Sequence, residues 1–285
     1  MMQFNKVTII GVGLIGGSIG LAIKKRKLAR EVVGVFRHSS TLRRVLAAKA
    51  IDKGVMDIGS GTRGADFIII ATPVHSIPSI AKEVLKYAGK GTIITDAGST
   101  KGWITSAVER AISRFPSVFF VGSHPMAGSE HQGVEFARSD LLEGSPCIVT
   151  KTAKTDARAM KRVIGFWKAL GARVKVVSPS DHDRSVSLIS HLPHLVAYSV
   201  AGAVPETDLR YAAEGFRDTT RVASSDPQLW ADIFLTNRKE VLNACRMFER
   251  YYKRMTRALS KNDHAGMARL LKGAKSKRDR LYHGK

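Results

Sequence analysis

The stretch Lys6-Val-Thr-Ile-Ile-Gly11-Val-Gly13-Leu-Ile-Gly16 decides the fold of this chain. A run of β-branched residues leads directly into three glycines spaced G-x-G-x-x-G, and a helical pattern follows. Gly11 permits a tight turn, Gly13 lets a ligand approach the backbone, and Gly16 allows the helix to pack closely on the strand. The first N–H groups of that helix would face an anion such as a pyrophosphate. We therefore predict dinucleotide binding at Gly11, Gly13, Leu14, Ile15 and Gly16.

The end of the second predicted strand bears on which dinucleotide binds. In NAD sites a carboxylate roughly 20 residues after the glycines usually contacts the ribose hydroxyls. This chain reads Gly34-Val-Phe-Arg37-His-Ser39 there, with no acidic residue. A guanidinium pairs with a phosphate better than with a diol, so Arg37, helped by Ser39 and Arg43, favours NADP. The alternative is that Arg37 stacks on the adenine of NAD, and both cofactors remain open.

Short β-branched runs alternate with helical patterns through the first 178 residues. Apolar strands separated by helices are typical of a parallel sheet that is covered on both faces. We predict an α/β fold class, with an N-terminal Rossmann doubly wound parallel sheet followed by an all-helical C-terminal domain. The predicted strands are 6–10, 32–36, 66–71, 92–95, 118–121, 147–150 and 173–177. The predicted helices between them are 15–25, 41–49, 77–87, 105–115 and 157–170.

The pattern changes at Ser178-Pro179, after which no strand is evident. We predict a dinucleotide-binding domain over residues 1–179 and a helical domain over residues 180–285. Residues 181–204 have helical periodicity, and Pro193 is expected to bend or interrupt that helix because proline lacks an N–H and crowds the preceding turn. Further helices are predicted from residue 227 and over residues 264–281.

The chain of 285 residues carries a formal net charge of +22 and is 44% hydrophobic. That apolar content excludes a disordered protein. The first 50 residues hold ten Lys or Arg against one acidic residue, and the last 35 hold eleven against two. These segments lack interleaved aromatics and any nucleic-acid-binding motif. We interpret them as solvated helix faces whose field attracts anionic substrates, and we do not expect nucleic acid as a partner.

Hydrophobic runs and cysteines bear on the location of the protein. The longest evident apolar run, residues 67–71, falls far short of the ~20 residues of a membrane helix, so no membrane span is predicted. The N-terminus lacks the basic and apolar regions of a secretory signal. Cys147 and Cys245 lie far apart in the sequence, which excludes a disulfide scaffold and favours the reducing cytoplasm.

Three polar loops follow predicted strands at their carboxyl ends, where open α/β sheets bind ligands. Thr72-Pro73 follows the third strand and is predicted to contact the cofactor. Residues 96–101 (DAGSTK) follow the fourth strand, and residues 122–128 (GSHPMAG) follow the fifth. Core packing explains a histidine poorly in a glycine-flanked loop. His124 is therefore a candidate functional residue.

The helical half holds a histidine pair and two arginines. His191 and His194 are three residues apart in Ser190-His-Leu-Pro-His, so they can share one helix face. No third ligand at suitable spacing accompanies them, and no metal site is predicted. Arg217 and Arg221 are four residues apart and could clamp carboxylates from one helix face. The alternative is that they form surface ion pairs with neighbouring acidic residues.

These segments together resemble the prephenate dehydrogenases and their arogenate-using relatives, the tyrosine-pathway dehydrogenases. The resemblance runs in order through GVGLIGGS (11–18), ITDAGSTK (94–101), GSHPMAG (122–128), SHLPH (190–194) and GFRDTTRVASSDPQLW (215–230). It implies a Rossmann domain followed by a substrate-binding and dimerisation domain that forms an intertwined homodimer. The implied reaction is oxidative decarboxylation of prephenate, or of arogenate, with hydride transfer to NAD or NADP. Because the product is aromatic, the protein needs to position and polarise the substrate but needs no metal.

The resemblance also implies roles for single residues. His124 matches the histidine that hydrogen-bonds the ring hydroxyl and acts as the base, and Ser99 matches the serine bonded to the same hydroxyl. Arg221 matches the arginine that binds a substrate carboxylate, and His194 matches the position that meets the substrate side chain. The other implied substrate-side residues are His191, Arg217, Trp230 and Asn237, of which Arg217 is assigned a supporting role.

Several alternatives remain open at this point. A histidine rather than a carboxylate at the side-chain position favours prephenate over the ammonium-bearing arogenate. Arg37 departs from the acidic residue of NAD-preferring relatives. We expect a monofunctional enzyme. The competing functions are another Rossmann dehydrogenase of the β-hydroxyacid or imine reductase type, in which SHLPH would have no role, and a non-enzymatic NADP-binding regulator.

Overall fold

The computed structural model describes residues 4–36, 39–128 and 133–283, without the side chains of residues 39–41 and 282–283. The chain forms two compact units, Met1–Arg238 and Lys239–Lys285. The first unit contains a six-stranded sheet in the order β3-β2-β1-β4-β5-β6, in which every pairing is parallel. Its strands are β1 (Phe4–Ile10), β2 (Ala29–Val35), β3 (Lys53–Val55), β4 (Phe67–Ile70), β5 (Ile93–Asp96) and β6 (Phe119–Val121). The predicted doubly wound parallel sheet is confirmed.

Helices connect the strands and continue after the sheets. The first six are α1 (Leu14–Lys25), α2 (Ser39–Ala47), α3 (Ile58–Thr62), α4 (Ile77–Leu85), α5 (Gly102–Ile112) and α6 (Ala157–Ala169). The next six are α7 (Pro179–Val186), α8 (Leu192–Ala203), α9 (Glu214–Thr220), α10 (Pro227–Thr236), α11 (Arg238–Ser260) and α12 (His264–His283). The described residues after Val177 contain no strand, so the predicted helical half is confirmed for that part of the chain.

Side chains of the parallel sheet belong to two separate clusters of buried apolar residues. On β4, Phe67 and Ile69 belong to one cluster, whereas Ile68 and Ile70 belong to the other, and all four are fully buried. This division follows from the alternation of side chains along a strand. Helices α1 and α6 supply apolar residues to the first cluster, and α4, α5 and α10 supply them to the second. Burial on both faces explains why these strands read as continuous apolar runs.

Three further strands form a separate sheet in the order β7-β8-β9. They are β7 (Ser123–Pro125), β8 (Pro146–Thr150) and β9 (Arg173–Val177). The sequence places the last two in the parallel sheet and describes residues 122–128 as a loop, so both interpretations are wrong. β7 is only three residues long and runs antiparallel to β8, with His124 opposite Ile148. This pairing fixes the backbone that carries the candidate histidine.

Pro193 does not end its helix, but the regular α-helix is interrupted by a π turn directly before it; the predicted bend stays a prediction. Helix α7, a π-helical turn at Ser187–His191 and α8 form one continuous stretch from Pro179 to Ala203. In the π turn, the Leu192 N–H donates to the Ser187 carbonyl, one residue further back than in an α-helix. The widened turn directly before Pro193 gives the proline ring room where a regular helix would place a carbonyl against it.

The stretch Pro179–Ala203 is also the one helix among residues 4–36, 39–128 and 133–283 that is long and apolar enough to cross a membrane. A single helix of this kind is weak evidence, since a core helix of a soluble protein meets the same criteria. This helix carries Asp183, whose carboxylate accepts hydrogen bonds from the backbone of the first unit. The absence of a membrane span stays a prediction.

The second unit consists of most of α11 and of α12. A short turn joins the two helices, and Asn262 in that turn adopts a left-handed φ of 50°. Asp263 begins α12 by accepting a hydrogen bond from the Gly266 N–H at 2.8 Å. The Tyr251 hydroxyl of α11 donates to the Leu270 carbonyl of α12 at 2.8 Å, which ties the two helices together.

Gly20 provides a test of how closely α1 must approach the rest of the fold. A Cβ atom at Gly20 would overlap with the Ala50 carbonyl oxygen, whereas a Cβ at Gly165 in α6 would meet nothing within 4 Å. We expect Gly20→Ala to lower the free energy of unfolding by about 1–3 kcal/mol, because the backbone must shift. The control Gly165→Ala is expected to raise it by about 0.5–1 kcal/mol. Urea unfolding measures both, and equal gains in the two variants would contradict the close approach.

Candidate active site

A cavity of about 1080 Å³ lies at the carboxyl ends of the parallel strands. This edge is where chain order reverses between β1 and β4, the usual ligand position of such sheets. Residues from the glycine-rich turn, from the loops after β4 and β5, from β7 and from the helical half line it together. The predicted site residues among them are Gly13, Leu14, Ile15, Thr72, Pro73, Ser99, His124, His194, Arg221 and Trp230.

Two glycines of the turn do not line the cavity but shape it. Gly11 adopts a φ of +91°, and a Cβ there would lie 2.7 Å from the Ala71 carbonyl oxygen. A Cβ at Gly16 would overlap with the carbonyl of Gly11. These two positions therefore require glycine for the turn and for the approach of α1 to the sheet.

The N-terminus of α1 fits the phosphates of a dinucleotide. Gly13 caps the helix without a side-chain hydrogen bond, and the first turn carries no acidic residue. A Cβ at Gly13 would meet nothing within 4 Å, so the backbone borders open space on the cavity side. The helix N–H groups and the helix dipole favour an anion in that space.

The residues predicted to choose between NAD and NADP are mostly outside the described set. Arg37 lies there, and so does the side chain of Ser39, whose backbone begins α2. Arg43 is exposed on α2. The preference for NADP therefore stays a prediction.

A buried ion pair holds the loop that carries Ser99. Lys101 is 0% exposed, and its ammonium group pairs with the carboxylate of Asp96 at the end of β5. The ammonium also donates to the Ser123 carbonyl of β7 at 2.8 Å. Asp96 accepts in turn from the N–H groups of Gly98 and Ser123, at 3.0 and 3.1 Å. Burial lowers the pKa of Lys101, and the charge of Asp96 opposes that effect.

His124 is partly exposed and joins a chain of buried polar groups. Its Nδ1 lies 2.9 Å from Nε2 of His182, a fully buried residue of α7. The Nδ1 of His182 lies 2.8 Å from Oδ1 of Asp183. The two oxygens of Asp183 accept hydrogen bonds from the backbone N–H groups of Lys101, at 2.7 Å, and Gly102, at 2.8 Å.

The enclosure of these groups sets their charges. Loss of water around His124 lowers its pKa well below the usual 6.5, and the nearby His182 and Lys101 lower it further. Burial also lowers the pKa of His182, although its hydrogen bond to Asp183 opposes the shift. Burial alone would raise the pKa of Asp183, but the hydrogen bonds it accepts outweigh burial and lower it. Near pH 7 both imidazoles are therefore neutral and Asp183 is a carboxylate.

Sequence reasoning missed His182, Asp183 and the ion pair of Lys101. The first two lie directly after Ser178-Pro179, which the sequence identifies only as a domain boundary. The local signal was an adjacent His-Asp pair in the first turns of a helix that follows a strand. Their partners Lys101 and His124 are far away in the sequence, and only the fold brings these groups together.

His194 and Trp230 form one wall of the cavity. Their rings stack with centroids 3.5 Å apart and planes 20° apart. The Nδ1 of His194 lies 2.9 Å from the Ser190 carbonyl oxygen, which can only accept, so Nδ1 carries the hydrogen. Burial lowers the pKa of His194, the bond to Ser190 raises it, and Arg221 lowers it. Neutral His194 therefore has its other ring nitrogen free to accept a hydrogen bond.

His191 and Asn237 lie behind the cavity rather than along it. His191 is 1% exposed, and its Nδ1 lies 3.2 Å from the amide nitrogen of Asn237. That amide also donates to the backbone carbonyl of Asp183 at 2.9 Å. Burial lowers the pKa of His191 to about 4, so this ring is neutral near pH 7. Neither residue is among those that line the cavity.

The two arginines do not share a helix face. Helix α9 ends at Thr220, and Arg221 begins a 3-10 turn, Arg221–Ser224. Arg221 lines the cavity, whereas Arg217 is exposed on α9 and is not among the lining residues. The expectation of a common helical face is therefore wrong, because the backbone changes its geometry between the two positions.

The described residues contain no group of three or more His, Cys, Asp or Glu that could hold a metal ion. His191 and His194 each use Nδ1 within the protein, on Asn237 and on Ser190. The prediction that no metal is needed stays a prediction.

The buried ion pair predicts a strong effect on stability. Lys101→Met leaves the Asp96 carboxylate buried without its cation, and we expect the free energy of unfolding to fall by about 3–5 kcal/mol. Asp96→Asn combined with Lys101→Met removes both charges and is expected to recover part of that loss. Lys86→Met breaks the exposed pair with Glu83 and serves as the control, for which only a small change is expected. Urea unfolding of the native protein and the three variants measures these changes in the free energy of unfolding. Equal losses for Lys86→Met and Lys101→Met would contradict the prediction.

Comparison with known proteins gives two consecutive family matches. The family described as "Prephenate dehydrogenase, nucleotide-binding domain" matches residues 19–176. The family described as "Prephenate dehydrogenase, dimerization domain" matches residues 178–273. The two matches together cover most of the chain and meet where the sequence pattern changes.

Individual proteins are similar over nearly the whole chain. A prephenate dehydrogenase of Bacillus subtilis is 36% identical over 286 residues, which cover 97% of this chain and 76% of that protein. A cyclohexadienyl dehydrogenase of Zymomonas mobilis is 33% identical and covers 92% of this chain and 91% of its own. The crystal structure of prephenate dehydrogenase from A. aeolicus, in complex with hydroxyphenyl propionate and NAD+, has a TM-score of 0.90 and 32% identity. It covers 97% of this chain and 98% of its own.

Proposed function

The chain belongs to the prephenate dehydrogenase family, and on that premise we propose that it catalyses the oxidative decarboxylation of prephenate in tyrosine biosynthesis. It is an oxidoreductase that uses a nicotinamide dinucleotide. One observation carries the assignment of its site: His124 and Arg221 line the same cavity as the glycine-rich turn. Family membership sets aside both a β-hydroxyacid or imine reductase and a non-enzymatic regulator.

Each cavity residue has a task that suits its chemistry. His124, neutral because its enclosure lowers the pKa, accepts the proton of the ring hydroxyl as the carbonyl forms. Ser99 hydrogen-bonds the same oxygen, and Arg221 binds a carboxylate of the substrate. The nicotinamide, when bound, takes the hydride from the carbon that bears the hydroxyl. The ring carboxylate leaves as CO₂, and its bonding electrons complete the aromatic ring.

Arogenate is the second candidate substrate, and the hydrogen bonding of His194 favours it. Neutral His194 donates through Nδ1 to Ser190, so its Nε2 can only accept. An ammonium group donates to such a nitrogen, whereas a keto group does not. Protonated His194 would donate to the keto acid instead, so the relative use of prephenate should rise as the pH falls.

The cofactor preference and the assembly are also proposals. The absence of an acidic residue in Gly34–Ser39, with Arg37 among these residues, supports NADP, while NAD remains the alternative.

A homodimer formed through the helical domain, residues 180–285, is supported by the match to a dimerization domain. Exposed apolar residues of α11 support it as well, namely Leu242, Met247, Phe248, Tyr252 and Leu259. The free thiols Cys147 and Cys245 support a cytoplasmic location.

The decisive experiment measures the absorbance of the reduced nicotinamide with four combinations of reactants. The purified full chain is mixed with prephenate or arogenate and with NAD+ or NADP+. Turnover of prephenate supports the proposal, and the ratios between cofactors and between substrates settle the two preferences. Lack of turnover of prephenate with both cofactors would refute it, and turnover of arogenate alone would make arogenate the substrate.

His124→Ala is expected to lower kcat by roughly 10²–10⁴-fold, because the variant lacks the base that takes the hydroxyl proton. The dissociation constant of the cofactor should stay the same, since the glycine-rich turn is untouched. Steady-state kinetics and a cofactor titration check the two expectations. His264→Ala, an exposed histidine at the start of α12, is the control and should keep the native kcat. Native turnover by His124→Ala would remove this residue from catalysis.

Arg221→Ala is expected to raise KM for the substrate by roughly 30-fold or more, because a charge-assisted contact contributes about 2–4 kcal/mol. Arg217→Ala, four positions earlier and outside the cavity lining, should raise KM much less. Initial-rate kinetics at saturating cofactor compare the two variants. Equal effects would mean that the cavity residue does not bind the carboxylate.

A further inference from the structure

We propose that His182 and Asp183 hold His124 in the tautomer whose Nε2 is unprotonated, and so act as positioning residues for the removal of the substrate proton. The inference rests on the proposed function, since it concerns the proton that His124 takes. It is carried by two contacts in series, His124 to His182 at 2.9 Å and His182 to Asp183 at 2.8 Å.

The direction of the series is set at Asp183. Its Oδ1 faces the N–H of Lys101 and its Oδ2 faces the N–H of Gly102, and a backbone N–H can only donate. Both oxygens therefore act as acceptors, and a proton on either would meet a donor. The carboxylate must then accept from His182 as well, which places the hydrogen of that ring on Nδ1.

The position of the hydrogen on His182 in turn determines the tautomer of His124. His182 is 0% exposed and neutral, so with Nδ1 protonated its Nε2 carries a lone pair. The contact with Nδ1 of His124 then requires that His124 supply the hydrogen. The charged and titratable groups that act on these two rings are Asp96 at the end of β5, Lys101 from the loop after it, and Asp183 and His191 from the helical stretch. The buried ammonium of Lys101 opposes a positive charge on either ring, which keeps this neutral arrangement.

The consequence for the reaction follows from the remaining ring nitrogen. With Nδ1 protonated, neutral His124 has its lone pair on Nε2, and His124 lines the cavity. The O–H bond of the substrate breaks, and a new N–H bond forms at Nε2. The Nδ1 hydrogen stays in its bond to His182, and the negative charge of Asp183 stabilises the cation formed. An aspartate that orients a histidine and stabilises its cation performs the same task in hydrolytic triads.

The tautomer can be measured directly on the full chain. Protein labelled with ¹⁵N-histidine is studied by NMR at a pH where His124 is neutral, and its signals are identified by their loss in His124→Gln. We expect a one-bond coupling to hydrogen at Nδ1 and none at Nε2. In His182→Phe, which keeps a ring but no nitrogen, the hydrogen should move to Nε2. A native His124 protonated on Nε2 would overturn the proposal.

The pH dependence of kcat/KM gives the second readout. Asp183→Asn keeps one oxygen that can accept from His182, replaces the other by an amide nitrogen that cannot accept from the backbone, and removes the charge that stabilises the cation. We expect kcat to fall about 10–100-fold and the acidic limb of kcat/KM to move to lower pH, since a less stabilised cation has a lower pKa. His182→Phe should lose more activity, and His182→Gln, which keeps an acceptor, should recover part of it. An unchanged acidic limb in Asp183→Asn would overturn the proposal.

Two measurements separate this role from a structural one. Thermal unfolding and the cofactor dissociation constant are recorded for every variant, because a merely structural residue would change these without moving the acidic limb. The NMR measurement needs no turnover. A native enzyme inactive on both substrates would therefore refute the proposed function, while the tautomer experiment still tests this inference.

Discussion

The ion pair between Lys101 and Asp96 joins the elements on which the whole site is built. The ammonium group of Lys101 contacts the end of β5 and the backbone of β7, while its backbone N–H holds Asp183 of α7. A buried pair of this kind is a weak source of net stability, because both charges lose their water. Its effect is geometric: one residue fixes the loop of Ser99, the strand of His124 and the start of the helical stretch. The cavity depends on this junction.

Much of the fold could be predicted because its signals are local. The glycine-rich turn lies between a strand and a helix in the sequence itself, and β4 reads as an unbroken apolar run because both of its faces are buried. The short strands β3 and β7 could not be predicted in this way. β3 contains Lys53 and Gly54, and β7 contains His124 and Pro125, so neither has a strand-like pattern. Each forms because it pairs with a neighbouring strand, β3 with β2 and β7 with β8. The local sequence pattern gives no sign of this pairing.

The same distinction applies to the site: some of its residues are identified by local motifs, and others depend on contacts between residues that are distant in the sequence. Motif positions identify Ser99, His124, Arg221 and Trp230, which all line the cavity. His191 was expected beside the substrate, but its ring is buried next to Asn237. The contacts of Asp183 and His182 were unforeseen because they span 82 and 58 positions. Motifs therefore identify the residues that contact the ligand, but not the residues, such as His182 and Asp183, that contact and orient those residues.

The π turn at Ser187–His191 sets the phase of the helix around it. One residue more than an α-helical turn contains rotates everything after it by about 100° relative to a regular helix. In a regular helix the twelve positions from His182 to His194 would separate the two side chains by roughly 120°, and the π turn reduces this angle to roughly 20°. His182 can thus contact His124 while His194 lines the same cavity. If the same residues formed a regular α-helix without the wider turn, the side chain of His194 would rotate by about 100° away from the cavity. A lineage that lost one residue here could therefore keep the chemistry in a regular helix, whereas one that regularised the turn at constant length would retain the fold and forfeit the chemistry.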